Sequence, residues 1–288
     1  MDIERKNTLI RLMSVCILFL IFVIFTTSVQ SPQRVYTARG FSPTIVAPTA
    51  TPTPFNPFPY MPPKLPYSHA YLTMLVGDSI VAALGPNADL LRQHLIEYYP
   101  DHEFVNYNYG FGATSIETLP DRLNKGSIYL DQNYLAILSQ GFDLIIIESF
   151  GYNPLSQLNE GEGLTRHISI LDESIKQIIK TRPESVVAIM TPIAPNKNNF
   201  AKGVYDITTD ERIKWADERI MYIETVIKYA QENRIPLINV YEKSLSPAGD
   251  GDLKYINPDD YIHPSLEGID LISKTIADFI YKNKIFPE

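Results

Sequence analysis

The stretch DLIIIES, residues 143–149, constrains the fold more than any other part of the chain. Successive side chains of a strand point to opposite faces, so an unbroken apolar run means that both faces are buried. An antiparallel sheet with one wet face would show alternation instead, and a parallel sheet covered on both sides fits the run. Comparable short runs at Tyr71–Val76, Glu103–Tyr107, Val186–Met190 and Leu237–Tyr241 join Leu144–Glu148 as expected strands. Helical patterns lie between or after them at residues 87–99, 164–182, 209–233 and 266–283. The alternation predicts a three-layer α/β/α domain over residues 67–288, built on a mainly parallel five-stranded sheet. Sheets of this kind bind ligands beyond the carboxyl ends of their strands, so the polar residues at those ends matter most.

The residues before 67 follow other rules. Leu12–Val29 holds 18 uncharged, mostly apolar residues. As a helix it would be about 27 Å long, close to the roughly 30 Å hydrocarbon core of a bilayer. It exceeds the usual signal-peptide apolar region and no A-x-A-like site follows, so an uncleaved signal-anchor is expected, with secretion after cleavage as the alternative. Arg5, Lys6 and Arg11 before the span, against Arg34 and Arg39 after it, set residues 1–11 on the cytoplasmic side. Nine of the 22 prolines fall between Pro43 and Pro66. Repeated proline removes backbone donors and fixes φ, which predicts an extended extracytoplasmic linker over residues 30–66.

A net charge of −8 without long basic runs argues against nucleic acid as a partner. The single cysteine, Cys16, lies in the apolar run, which leaves the folded part neither a disulfide nor a cysteine metal site. His69, His94, His102 and His167 lack ligand spacing and read as surface or capping residues. No metal and no cofactor are expected.

Four strand ends or loops carry chemistry. The first strand runs into Gly77-Asp78-Ser79, the second into NYNYGFGATS, with Gly110 and Gly112, and the third into ESFGYNPL, with Asn153. NPDDYIHPSLEG, ahead of the last helix, sets Asp260 three residues before His263. A histidine paired with a carboxylate can take a serine proton while the carboxylate fixes its tautomer. Each motif alone also reads as a turn or a helix cap.

Together and in this order, the four blocks resemble the SGNH/GDSL hydrolase family over about residues 70–284. The resemblance implies a flavodoxin-like fold, with Ser79 as nucleophile, His263 as its base and Asp260 orienting the histidine. It implies an oxyanion hole from the Ser79 amide, Gly112 and Asn153, with Gly110 as the alternative to Gly112. Two blocks depart from the family: G-D-S-I stands where leucine is common, and G-Y-N-P where G-x-N-D is usual.

The implied activity is hydrolysis of carboxylic esters through an acyl-enzyme, on small-molecule or polysaccharide substrates, by a single-pass membrane-tethered enzyme. An O-acyltransferase acting on cell-envelope polysaccharide would use the same acyl-enzyme, and a catalytically silent binding module would keep only the fold. The polar segment 194–211 reads either as a rim to the site or as a surface loop.

Overall fold

A computed structural model describes residues 58–288 of the chain. The expected cytoplasmic residues 1–11, the span at 12–29, Cys16 and the linker up to residue 57 lie outside the described residues. Among the described residues no helix is long and apolar enough to cross a membrane.

The elements run β1 (Ala70–Gly77), α1 (Ser79–Ala82), α2 (Asp89–Tyr98), β2 (Glu103–Gly110), α3 (Leu119–Asn124), β3 (Ser127–Tyr129) and β4 (Gln132–Tyr134). They continue with β5 (Leu144–Glu148), α4 (Glu160–Thr181), β6 (Val186–Met190), α5 (Thr209–Glu232), β7 (Leu237–Ile238), α6 (Val240–Lys243) and α7 (Leu266–Lys282). Five strands form one sheet in the order β2-β1-β5-β6-β7, every pair parallel, while β3 and β4 make a separate antiparallel hairpin. The fold class is the one that the apolar strands dictate.

The alternation inside β5 builds two cores. Leu144 and Ile146 join Leu91 and Leu95 of α2 and Ile272, Ile276 and Ile280 of α7 on one face. Ile145 and Ile147 join Leu123 of α3 and Leu171, Ile175 and Ile178 of α4 on the other. All five residues of β5 are buried. Fully burying one such side chain contributes about 1.5–3 kcal/mol, which is why an apolar run selects a sheet covered on both faces.

Two strand limits differ from the expectation. β2 continues to Gly110, because it stays paired with β1 up to Gly77 and the Asn108 amide donates to the Val81 and Gly85 carbonyls at 2.8 and 2.7 Å. β7 stops at Ile238, because the Asn239 side chain accepts from the Glu242 N–H at 3.2 Å and starts α6. The β3–β4 hairpin was not expected at all. Its turn residues Leu130 and Asp131 both have positive φ, 48° and 61°, without the glycine or asparagine that usually marks such a turn.

The proline-rich residues nearest the domain also pack on it. Tyr60 and Leu65 are each 7% exposed. The Tyr60 hydroxyl accepts from the Val187 N–H at 3.0 Å, and the Phe58 and Tyr60 amides donate to Asn233 at 2.8 and 2.7 Å. Proline removes donors but leaves these aromatic and aliphatic side chains free to bury, so packed residues begin before position 67.

Candidate active site

β1 pairs with β2 on one side and β5 on the other, so the sheet order reverses between β1 and β5 and opens a crevice at their carboxyl ends. Ser79 and Asn153 follow these two strands. Asp78 follows β1 and caps α1: one carboxylate oxygen accepts from the Ile80 N–H at 2.8 Å. Its other oxygen accepts from the Asn153 side-chain amide at 2.7 Å. Asp78 is fully buried, and burial pushes its carboxyl above the ordinary value, against the pull of those two donors and of the charges on His263 and Arg122. One of the two Asn153 amide hydrogens is thus committed to Asp78.

The turn that carries Asn153 is braced from below. Glu148, at the end of β5, accepts from the Ser149 hydroxyl at 2.7 Å and the Phe150 N–H at 2.8 Å. Burial, then the charge of Asp78, pushes its carboxyl well above the carboxylate range. Phe150 adopts a φ of 54°, in the left-handed region that bulky residues avoid, and the Asn153 N–H returns to its carbonyl at 3.1 Å. His167 is buried behind the same turn with Nε2 at 2.8 Å from the Ser149 carbonyl, and burial lowers its pKa to about 4. His102, 8% exposed, stacks on Tyr71 with ring centroids 5.6 Å apart. These two histidines, read as surface or capping residues, are core residues, because each finds an aromatic partner.

Asp260 and His263 form a tight unit. The Asp260 carboxylate accepts from the Ile262 and His263 amides at 2.8 and 3.0 Å and holds His263 Nδ1 at 2.8 Å. Burial opposes ionisation, but these hydrogen bonds and the histidine charge together hold the Asp260 carboxyl below its ordinary value. With Nδ1 bound to a carboxylate, Nε2 is the nitrogen left to accept a proton. Segment 194–211 packs against this loop: the Ala201 N–H donates to the Tyr261 carbonyl at 3.3 Å, and Phe200 and Ala201 are buried. Arg212 fixes the segment by donating to the Phe200, Tyr205 and Ile207 carbonyls, each at 3.0 Å.

The two glycines of the second block part company. A Cβ on Gly110 would lie 2.2 Å from the Ala82 nitrogen, so that glycine lets α1 pack on the end of β2, and its N–H donates to the Asn108 side chain at 2.8 Å. A Cβ on Gly112 would lie 3.7 Å from Ser79 Cβ and 2.9 Å from the Tyr129 hydroxyl. Gly112 is the one beside the serine, and its N–H donates to that hydroxyl at 2.8 Å.

Behind this surface lies Arg122, which no sequence motif marks. Its guanidinium donates to the Gly77 and Tyr109 carbonyls at 2.8 and 3.1 Å, to Thr118 at 2.8 Å, and to Thr114. It also lies 4.4 Å from the centroid of the Phe111 ring. Burial lowers its pKa to about 10, and the charge of Asp78 works against that shift. Arg122 ties the ends of β1 and β2 to the glycine block. A lone arginine in a polar stretch gives no sequence signal of this.

Among the described residues no three His, Cys, Asp or Glu side chains gather as a metal site. A cavity of about 810 Å³, lined by Leu65, Val186, Pro236 and Ile285 among others, lies at the opposite edge of the sheet and includes none of the residues above.

No protein-family model and no curated protein matches the chain. Solved structures do. A protein assigned to the G-D-S-L lipolytic family from Desulfitobacterium hafniense is 14% identical, with a TM-score of 0.51 over 73% of this chain and 99% of that one. A variant of an acetyl-xylooligosaccharide esterase from Geobacillus stearothermophilus is 18% identical, with a TM-score of 0.50 over 73% of this chain and 94% of that one. A protein assigned as an acylhydrolase from Bacteroides fragilis is 15% identical, with a TM-score of 0.50 over 77% of this chain and 91% of that one. The chain has the fold of these proteins.

Proposed function

We propose that the protein belongs with the SGNH/GDSL hydrolases and is a serine esterase that works through an acyl-enzyme. The observation that carries the reading is the Asp260–His263 pair, joined at 2.8 Å through Nδ1, which leaves Nε2 as the nitrogen that can serve as a base. Serine is a weak nucleophile until a base accepts its proton. In the proposed reaction His263 Nε2 takes the Ser79 proton as Oγ bonds to the ester carbonyl carbon. The resulting oxyanion is held by the Ser79 amide, by the second Asn153 amide hydrogen and by a donor at the glycine block. Its collapse breaks the bond to the alcohol, which leaves with the proton from His263. Water then attacks the acyl-Ser79 ester by the same route and releases the acid.

The acetyl-sugar esterase among the structures of like fold supports O-acylated carbohydrate as the first substrate class to try. The apolar run at 12–29 supports an anchored, extracytoplasmic enzyme. The test is a hydrolysis screen of aryl esters from acetyl to long chains, beside acetylated sugars, on the wild type, Ser79→Ala and His263→Ala. Each substitution is expected to remove nearly all turnover, and the double variant to resemble either one, since nucleophile and base act as a unit. Substantial turnover by Ser79→Ala would overturn the reading. Acyl transfer to an added sugar in place of hydrolysis would recast the enzyme as a transferase.

A further inference from the structure

We propose that the Tyr129 hydroxyl, rather than the Gly112 amide itself, is the third hydrogen-bond donor to the oxyanion, a refinement that rests on the esterase reading above. An amide has one hydrogen, and that of Gly112 is already given to the Tyr129 oxygen at 2.8 Å. A phenol accepts and donates at once. Among the described residues the Tyr129 hydroxyl has this amide as its donor and no acceptor for its own proton. Accepting from Gly112 polarises the O–H bond and strengthens the bond it can give.

The location fits. A point one bond length from Gly112 Cα lies 2.9 Å from the Tyr129 hydroxyl and 3.7 Å from Ser79 Cβ, so phenol and nucleophile border the same small volume. The ring is also held. It stacks on Phe111 with centroids 4.6 Å apart and planes 17° from parallel. Tyr134, from the other strand of the hairpin, meets Phe111 edge-on at 4.8 Å, and Arg122 covers the same ring. Donors fixed before charge develops are what stabilise an oxyanion, because they need no reorganisation during reaction. Freeing the Gly112 amide for direct use would instead require the hydroxyl to leave and the stack to break. The phenol keeps its proton throughout: charge appears on the substrate oxygen and returns to the carbonyl when the alcohol departs.

Tyr129→Phe keeps the ring and removes only the hydroxyl. Rates are measured on a small ester and expressed per Ser79 site titrated with a fluorophosphonate, so that any unfolded fraction drops out. The variant is expected to lose about 10²-fold in kcat with little change in KM. Its rate of fluorophosphonate labelling should fall as well, while Tyr134→Phe, on the same hairpin, should leave both unchanged. An unchanged or raised kcat in Tyr129→Phe would overturn the proposal and return the role to the Gly112 amide, as would a lowered melting temperature with normal kcat. If the wild type shows no Ser79-dependent turnover, the esterase reading and this inference fail together. Ser79-dependent turnover with an unaffected Tyr129→Phe overturns the tyrosine alone.

Discussion

Two aspartates serve this site, and they live in opposite surroundings. Asp260 shares one short loop with its partner His263, has a side chain 21% exposed, and is held below its ordinary pKa by the hydrogen bonds and charge it has gathered. Asp78 is 0% exposed, reaches across 75 positions of sequence to Asn153, and is pushed above its ordinary pKa by burial that its partners do not fully offset. The first stays charged and, in the proposed reaction, steers the base His263. The second holds the Asn153 amide, the oxyanion donor of the proposed reaction, and is desolvated where it does so. Both carboxylates orient a neighbour, and the ionisation of each follows from its surroundings.

Removing the charge at each aspartate separates the two roles. Asp260→Asn should cost most, about 10⁴-fold in kcat, because an amide at this position favours the wrong tautomer of His263. A loss below tenfold in steady-state assays would dissolve the contrast. Asn153→Ala should come next, lowering kcat by about 10²–10³-fold with little change in KM, as expected when a bond made chiefly in the transition state is lost. Near-normal kcat with a lowered melting temperature would make Asn153 a turn residue. Asp78→Asn leaves Asn153 present but faces one amide with another, so it should cost about tenfold in kcat, the worth of roughly one hydrogen bond.

Stability sharpens the comparison, because the two shifts have opposite signs. A carboxyl whose pKa is raised in the folded state stabilises below the unfolded value of 3.8, and that contribution is lost as pH rises through the folded value. A carboxyl whose pKa is lowered stabilises above 3.8, and that contribution is lost as pH falls through the folded value. Relative to the wild type, Asp78→Asn should therefore gain melting temperature as pH rises above about 3.8, whereas Asp260→Asn should lose it as pH rises toward about 3.8 from below. Slopes of the same sign would show that the two environments are alike. His167 adds a background both variants share: buried and neutral, with a pKa near 4, it should make all three proteins less stable as pH falls from 6.5 toward 4.

The smallest effect on turnover is expected at the far end of the sheet. A chain starting at Tyr67 loses the buried side chains of Tyr60 and Leu65, each worth about 1.5–3 kcal/mol. Denaturant melts should report a loss of a few kcal/mol with kcat per titrated site unchanged. Altered kcat would mean that the two ends of the sheet are coupled.

The same contrast explains what could be read from sequence. Asp260 and His263 are legible because three residues of one loop bring them together. The five strands are legible because runs such as Leu144–Ile147 have one physical solution, and the order of the motifs points to Ser79, Gly112 and Asn153 as candidates. The pairing of Asp78 with Asn153 was not legible, since only the sheet order sets the ends of β1 and β5 side by side. Glu148 carried a faint signal, a carboxylate closing an apolar strand. Tyr129 carried none, because three-residue strands joined through Leu130 and Asp131 match no hairpin pattern, and Arg122 owes its place to a carbonyl 45 residues away.

The contacts of Phe58 and Tyr60 with Asn233 and Val187 fix where the polypeptide enters the domain: beside the start of β6, at the edge of the sheet away from Ser79 and His263. An affinity handle, a solid support or a fusion partner joined ahead of Phe58 would therefore grip the domain from behind. The carboxyl ends of β1 and β5, where the candidate site lies, would stay open to a substrate as bulky as an insoluble polymer.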